Sequence, residues 1–327
     1  SNEHFYDKDG NLVTDSYVFS TKYNYNNTIY PFYVDKNGDK LKGEQIINGK
    51  SVYFDKYDGA QVRNSVADNG RFYDQDGNLV DLGKKHYVFI DNHWFYIDED
   101  GKILKGEQVI DGNNFYFDKD GKQVKGNFAE NGAYYDENSG VQVTNRYVNF
   151  NNNWYRIGAK GTPLKGAHVV DGHNVFFDQD GKQIKGDFAS DGYYYSKNSG
   201  DRVDLGQNHY QNINNNWYYI GNDGKRLTGE QVIDGVEVYF DSTGKQVKGN
   251  FAENDSFYDK DSGARLKEQF VDLNGKTYYV DAKGKRLREG GVRTINGKEY
   301  TFTGGADPHL AREEFLYPYG YSSFYDL

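Results

Sequence analysis

The 327-residue sequence predicts an all-β fold, a β-solenoid of stacked hairpin repeats of about 20 residues each, about three hairpins per turn. Three observations predict it. A single motif recurs, as FYFDKDGKQVKGNFAENG from Phe115, VFFDQDGKQIKGDFASDG from Val175 and VYFDSTGKQVKGNFAEND from Val238. Apolar residues alternate over short runs, with no helical periodicity. The apolar content is carried by rings: aromatic residues are 17% of the chain against 36% for all hydrophobic residues, with 31 Tyr, 21 Phe and 3 Trp.

Within each unit an aromatic-rich run meets a turn of the Asp-x-Asp-Gly or Asp-x-Asn-Ser-Gly type, where Gly and Asn or Asp supply positive φ, and a second strand is expected to follow. Fourteen turn glycines mark these units, from Gly10 to Gly284, and a partial unit begins at Glu299. Similarity is strongest at every third unit. Trp94, Trp154 and Trp217 open equivalent stretches, so the repeat steps by 154 − 94 = 60 and 217 − 154 = 63 residues. A hairpin alone is marginal in water, so the units must stack, and a three-unit period implies that every third hairpin meets the same neighbours. One repeat domain is expected over 1–303, followed by a non-repeat tail over 304–327.

Alternation assigns faces. The aliphatic residue three places after each turn glycine, such as Val124, Ile184 or Val247, points inward, as do Phe117, Phe177 and Phe240 just before the turn. The preceding rings, Tyr116, Phe176, Tyr239, Tyr134, Tyr194 and Phe257, should then face out. On that reading Tyr134→Ala and Tyr194→Ala leave the fold intact, whereas Phe117→Ala costs about 3–5 kcal/mol.

The outward face also carries a regular polar beat. Gln61 and Arg63, Gln123 and Lys125, Gln183 and Lys185, and Gln246 and Lys248 each pair an amide with a cation, and the next hairpin supplies Phe72, Tyr134, Tyr194 or Phe257. A ring packs against pyranose C–H groups while amide and ammonium bond hydroxyls, so this set suits a sugar. The competing reading is that Gln and Lys only solubilise the surface and the rings only cover seams between hairpins.

Several function classes are excluded. A net charge of −10 without a basic run gives no electrostatic footprint for nucleic acid. No run approaches the ~18 apolar residues of a membrane span, and the first residues lack a signal peptide, as in a processed product or an excised piece. The absence of Cys fits a secreted bacterial protein, although a cytosolic one can also lack it. The Asp-x-Asp-Gly turns resemble the start of a calcium loop but lack its later ligands, so they read as turns. The seven His form no metal cluster, and the carboxylates form a ladder rather than one asymmetric acid/base pair, so no catalysis, metal or cofactor is expected.

The stretches YFDKDGKQVKGNF, YYDENSG and KGEQVIDG resemble the YG-type repeats of the C-terminal glucan-binding domain of secreted bacterial glucansucrases, the dextransucrase and alternansucrase group. The resemblance covers about residues 1–303. It implies a hairpin solenoid outside the cell or at its surface, and a non-catalytic module that binds α-glucan beside a catalytic domain in the same parent chain. It further implies sugar pockets of an aromatic with a Gln-x-Lys pair, which map onto Gln123, Lys125 and Tyr134, onto Gln183, Lys185 and Tyr194, and onto Gln246, Lys248 and Phe257. Gln61, Arg63 and Phe72 depart from that pattern. Choline-binding repeats, clostridial toxin repeats that bind surface glycans, and a purely structural spacer are the alternatives.

Overall fold

A computed structural model describes residues 3–21 and 28–312, and among these every regular element is a strand. The strands form fourteen small antiparallel sheets of two or three strands. Three kinds of hairpin follow one another in strict rotation. The first is exemplified by His86–Ile90 with His93–Ile97, the second by Gly106–Ile110 with Asn113–Phe117, and the third, much shorter, by Asn127–Phe128 with Tyr134–Tyr135. The rotation runs from Ser16–Thr21 to Lys298–Phe302, so the three-unit period of the sequence is a period in hairpin type.

The main ladder is not built around the expected turn. In the second kind, five pairs from Gly106↔Phe117 to Ile110↔Asn113 close on the dipeptide Asp111-Gly112. Both residues have positive φ, 49° and 77°. Asn151-Asn152 does the same in the first kind, at 51° and 62°. Two consecutive positive φ values mark a type I′ turn, whose twist matches that of the strands it joins. The Asp-x-Asp-Gly segment instead reverses the chain after the ladder and makes one isolated bridge, Phe117↔Gln123. The second strand expected there is therefore a single bridged residue. Its reversal is clamped by the Asp118 carboxylate, which accepts the backbone N–H groups of Asp120 and Lys122 at 2.9 Å each.

In several of these turns, Asp7, Asp74, Asp136 and Asp259 among them, the clamp holds the carboxyl below its ordinary pKa. Backbone N–H donation lowers Asp74 (from Asn78), Asp136 (from Ser139, then the Arg146 guanidinium) and Asp259 (from Ser262). A depressed folded pKa means the unfolded chain binds more protons at acid pH. The clamps therefore stabilise fully above the ordinary carboxylate range, and that contribution is lost as pH falls from about 4 toward the lower folded values. Urea unfolding should show lower stability at pH 3 than at pH 7, and Asp136→Asn should shrink that difference; an unchanged difference would remove the turn from the acid response.

Cross-hairpin packing replaces a single inner face. Tyr135 meets Tyr116 of the preceding hairpin at 5.9 Å between ring centroids, and Phe128 meets Tyr155 of the following one at 5.1 Å. Equivalent pairs are Tyr53–Tyr73 at 5.9 Å, Phe176–Tyr195 at 5.8 Å and Tyr239–Tyr258 at 5.7 Å. Backbone bonds stitch neighbours as well, from Gln123 N–H to the Trp94 carbonyl (2.7 Å), Gln142 to Asn114 (2.8 Å) and Arg265 to Glu237 (2.8 Å). Phe117, Phe177 and Phe240 are fully buried as expected, while Val124, Ile184 and Val247 are half-buried. The chain divides into two compact units, Ser1–Leu164 and Lys165–Leu327. Of the expected tail, Leu310–Arg312 pairs with Lys298–Phe302 as a third strand, and residues 313–327 lie outside the described residues.

Candidate functional site

The Gln-x-Lys pairs occupy one recurring place, where the chain leaves the second kind of hairpin and enters the third. Lys125 Nζ donates to the Asn138 carbonyl at 3.0 Å, Lys185 to Asn198 at 3.3 Å and Lys248 to Asp261 at 2.8 Å. Each lysine thus closes the reversal that comes after the short hairpin, Asp136–Gly140 in the case of Lys125. The Gln amide lies over the glycine of that same turn: a Cβ on Gly140 would stand 2.5 Å from Gln123 Nε2, and one on Gly200 would stand 2.5 Å from Gln183 Nε2. Gln246 lies likewise over Gly263. Positive φ favours glycine at these positions, and a Cβ there would also push the Gln amide aside. Gly140→Ala should therefore destabilise the chain by at least ~1–2 kcal/mol from the backbone alone. A thermal melt of Gly140→Ala beside Gly140→Ala/Gln123→Ala separates the two causes, because the second variant relieves only the clash.

Gln61 and Arg63 close on each other. Gln61 is 5% exposed, its Oε1 accepts from Arg63 Nε (3.0 Å) and Nη2 (2.8 Å), and its Nε2 donates to the Tyr17 hydroxyl at 3.4 Å.

The rings expected to accompany the pairs are not exposed. Tyr134 is 7% exposed and packs with Val143, Val148, Tyr155 and Ile157; Phe257 is 5% exposed and packs with Val271, Tyr278 and Val280. Tyr194 is half-buried against Phe188, Tyr218 and Ile220, and Phe72 against Phe95, Ile97 and Ile103. Phe176 and Tyr239 are buried and Tyr116 is half-buried. The expected outward placement is thus overturned at Tyr134, Phe257, Phe176 and Tyr239, while Tyr194, Phe72 and Tyr116 keep part of their rings at the surface. Successive strand residues do point to opposite faces, but a hairpin held between two others covers both.

The exposed ring beside the Gln-x-Lys pair is a tryptophan. Trp94 is 41% exposed, its carbonyl accepts the Gln123 N–H, and Lys125 Nζ stands 5.9 Å from its ring centroid. Trp217 is 43% exposed, and its carbonyl accepts the Gln246 N–H at 2.7 Å. Alternation carried this signal: Trp94 precedes the buried Phe95, so it must point to the other face. Behind Trp94 lies Tyr87, ring to ring at 6.4 Å, edge-on. Its hydroxyl is buried without a hydrogen-bond partner, as is Gln246 Nε2. Burial, with Tyr96 and Asp111 nearby, pushes the Tyr87 hydroxyl up to about 12, so it stays neutral at physiological pH. Among the described residues no group of three or more His, Asp or Glu is placed to hold a metal ion. The turn aspartates bind their own backbone instead.

A family model described as a choline-binding repeat matches residues 104–147, 164–204 and 227–270, and one described as a putative cell wall binding repeat matches 87–103 and 208–225. Glucosyltransferase-S of Streptococcus mutans serotype c is 37% identical over 314 residues, which are 91% of this chain and 21% of that protein. Glucosyltransferase-I of Streptococcus downei is 33% identical over 328 residues, 91% of this chain and 18% of that one. Among solved structures, alternansucrase in complex with isomaltononaose is 23% identical, with 90% of this chain and 18% of that chain covered at a TM-score of 0.24. The chain spans about a fifth of the length of the glucosyltransferases it matches.

Proposed function

The chain belongs to the repeat regions of the glucosyltransferase family, and from that premise we propose that it is a carbohydrate-binding module that retains α-glucan through several weak, repeated sites. One observation carries the reading: the Lys125 ammonium stands 5.9 Å from the exposed Trp94 ring, and the Gln123 side-chain amide lies beside the Lys125 stem over Gly140. A flat apolar face beside a donor and an acceptor is what a pyranose needs. The exposed Trp217, whose carbonyl accepts the Gln246 backbone N–H, offers a second ring with Lys248 in the following turn, and Gln183 with Lys185 supplies the polar half of a third. Tyr134, Tyr194 and Phe257 act beneath these sites, as packing that holds the short hairpin and its turn.

Each site offers one ring and two or three polar contacts, so its Kd lies near about 1 mM, or roughly −4 kcal/mol. Several sites on one polymer act together, raising avidity by about 10²–10⁴. The rotation of three hairpin kinds and the stitching of neighbours support a solenoid with about three hairpins per turn. In a longer parent protein outside the cell or at its surface, such a module would keep product glucan beside a catalytic domain.

The matched repeat description raises a second reading, binding of a quaternary ammonium. Lys125 argues against it at Trp94, because a fixed cation over the ring repels the cation that an aromatic cage would capture. Titration with isomaltotriose, long dextran and choline, followed by Trp fluorescence, tests the choice. Weak trisaccharide binding with much tighter dextran retention is expected; choline binding, or silence with all three, would overturn it.

A further inference from the structure

A cleft of about 270 Å³ opens on the other side of the hairpin that carries Trp94. It lies where the short hairpin Ser65–Val66 with Phe72–Tyr73 meets His86–Ile90 with His93–Ile97 and the Asp118–Gly121 turn. Val66, Phe72 and Ile90 line it, all half-buried, and Asp91, His93, Asp120 and Lys122 supply its polar groups. His93 and Trp94 are consecutive in one strand, so the cleft and the tryptophan lie on opposite faces of that hairpin.

The polar rim has a defined hydrogen-bonding character. His93 Nδ1 stands 2.6 Å from the Asp91 carbonyl oxygen. A carbonyl can only accept, so Nδ1 carries the proton and the neutral ring leaves Nε2 as an acceptor. The exposed Asp91 and Asp120 carboxylates add acceptors, and Lys122 adds a donor. The Asp120 loop is fixed by the Asp118 clamp, which orients the rim before any ligand arrives. A cavity just under the roughly 300–1,000 Å³ of drug-sized pockets suits one sugar ring.

The rim is particular to this repeat. Where it has Asp91 and His93, the equivalent positions elsewhere are Asn151 and Asn153, Asn214 and Asn216, and Asn274 and Lys276. Two carboxylates repel anionic sugars and phosphates. A quaternary ammonium would find the half-buried Phe72 and the buried Phe95, with the Lys122 cation beside them to repel it.

We propose that this cleft is an additional subsite for a single neutral pyranose, sharing no residue with Trp94, Gln123 or Lys125. The proposal rests on the reading of the chain as a carbohydrate-binding module. Its test uses the full chain and the double variant Asp91→Asn/His93→Asn, which installs the residues that other repeats already carry and so preserves the turn. In a Trp94→Ala/Trp217→Ala background, saturation-transfer NMR with isomaltotriose should keep a residual signal that Asp91→Asn/His93→Asn lowers at least about threefold. In the otherwise native chain the same double variant should weaken dextran retention about fivefold while leaving the isomaltotriose response of Trp fluorescence unchanged. Unchanged NMR signal and unchanged retention would overturn the subsite, as would choline binding that the double variant abolishes. A native chain that binds neither isomaltotriose nor dextran would instead sink the module reading, a result distinguishable from loss of the cleft alone.

Discussion

Truncating Tyr134 to alanine should lower the unfolding free energy by about 3–5 kcal/mol, the loss seen when a buried ring is deleted and its cavity fails to close. The ring is 7% exposed and stands 5.0 Å from Phe128 and 6.1 Å from Phe150, centroid to centroid. It joins the short hairpin to the hairpin that follows. Phe257→Ala should behave alike, since Phe257 meets Phe251 at 5.0 Å and packs on Tyr278 and Val280. Tyr134→Phe keeps the ring and should stay within about 1 kcal/mol of the native chain. Urea denaturation of the three variants is the measurement. A Tyr134→Ala transition close to native would return this ring to the surface and reopen it as a sugar platform.

The opposite pattern is expected at the tryptophans. Trp94→Ala/Trp217→Ala should weaken dextran retention by about 10–100-fold, because two stacking faces vanish from a multivalent set. Stability should fall far less than for Tyr134→Ala, since Trp94 is 41% and Trp217 43% exposed. Part of each ring does pack, Trp94 on Phe89 at 4.9 Å and Trp217 on Tyr210 at 6.5 Å, so a modest drop in Tm is part of the expectation. Affinity electrophoresis through dextran, read beside Tm, separates the effects. Full retention by the double variant would remove these rings from the site.

The two predictions diverge on a point that alternation alone does not resolve. Alternation places Tyr134 and Tyr135 on opposite faces, and it does the same for Trp94 and Phe95. It does not say how many faces a hairpin buries. Tyr135 is covered by Tyr116 and Tyr134 by Phe150, from hairpins on either side, whereas the face of Trp94 stays half open.

The amino-acid sequence by itself determined the all-β class, the three-unit period, the core role of Phe117, Phe177 and Phe240, and the chain reversals at the Asp-x-Asp-Gly segments. It also marked Gln123, Lys125 and their equivalents as a recurring set. These follow from short-range rules: positive φ at Asn, Asp and Gly, and period-two alternation. Tertiary structure decided which reversal carries the ladder, since Asp111-Gly112 and Asp118–Gly121 are both good turns and only the first matches the twist of two five-residue strands. It also decided which ring accompanies the amide and the ammonium. That choice depends on the neighbour stacked against each face, and such contacts join residues some thirty positions apart, beyond the reach of local pattern.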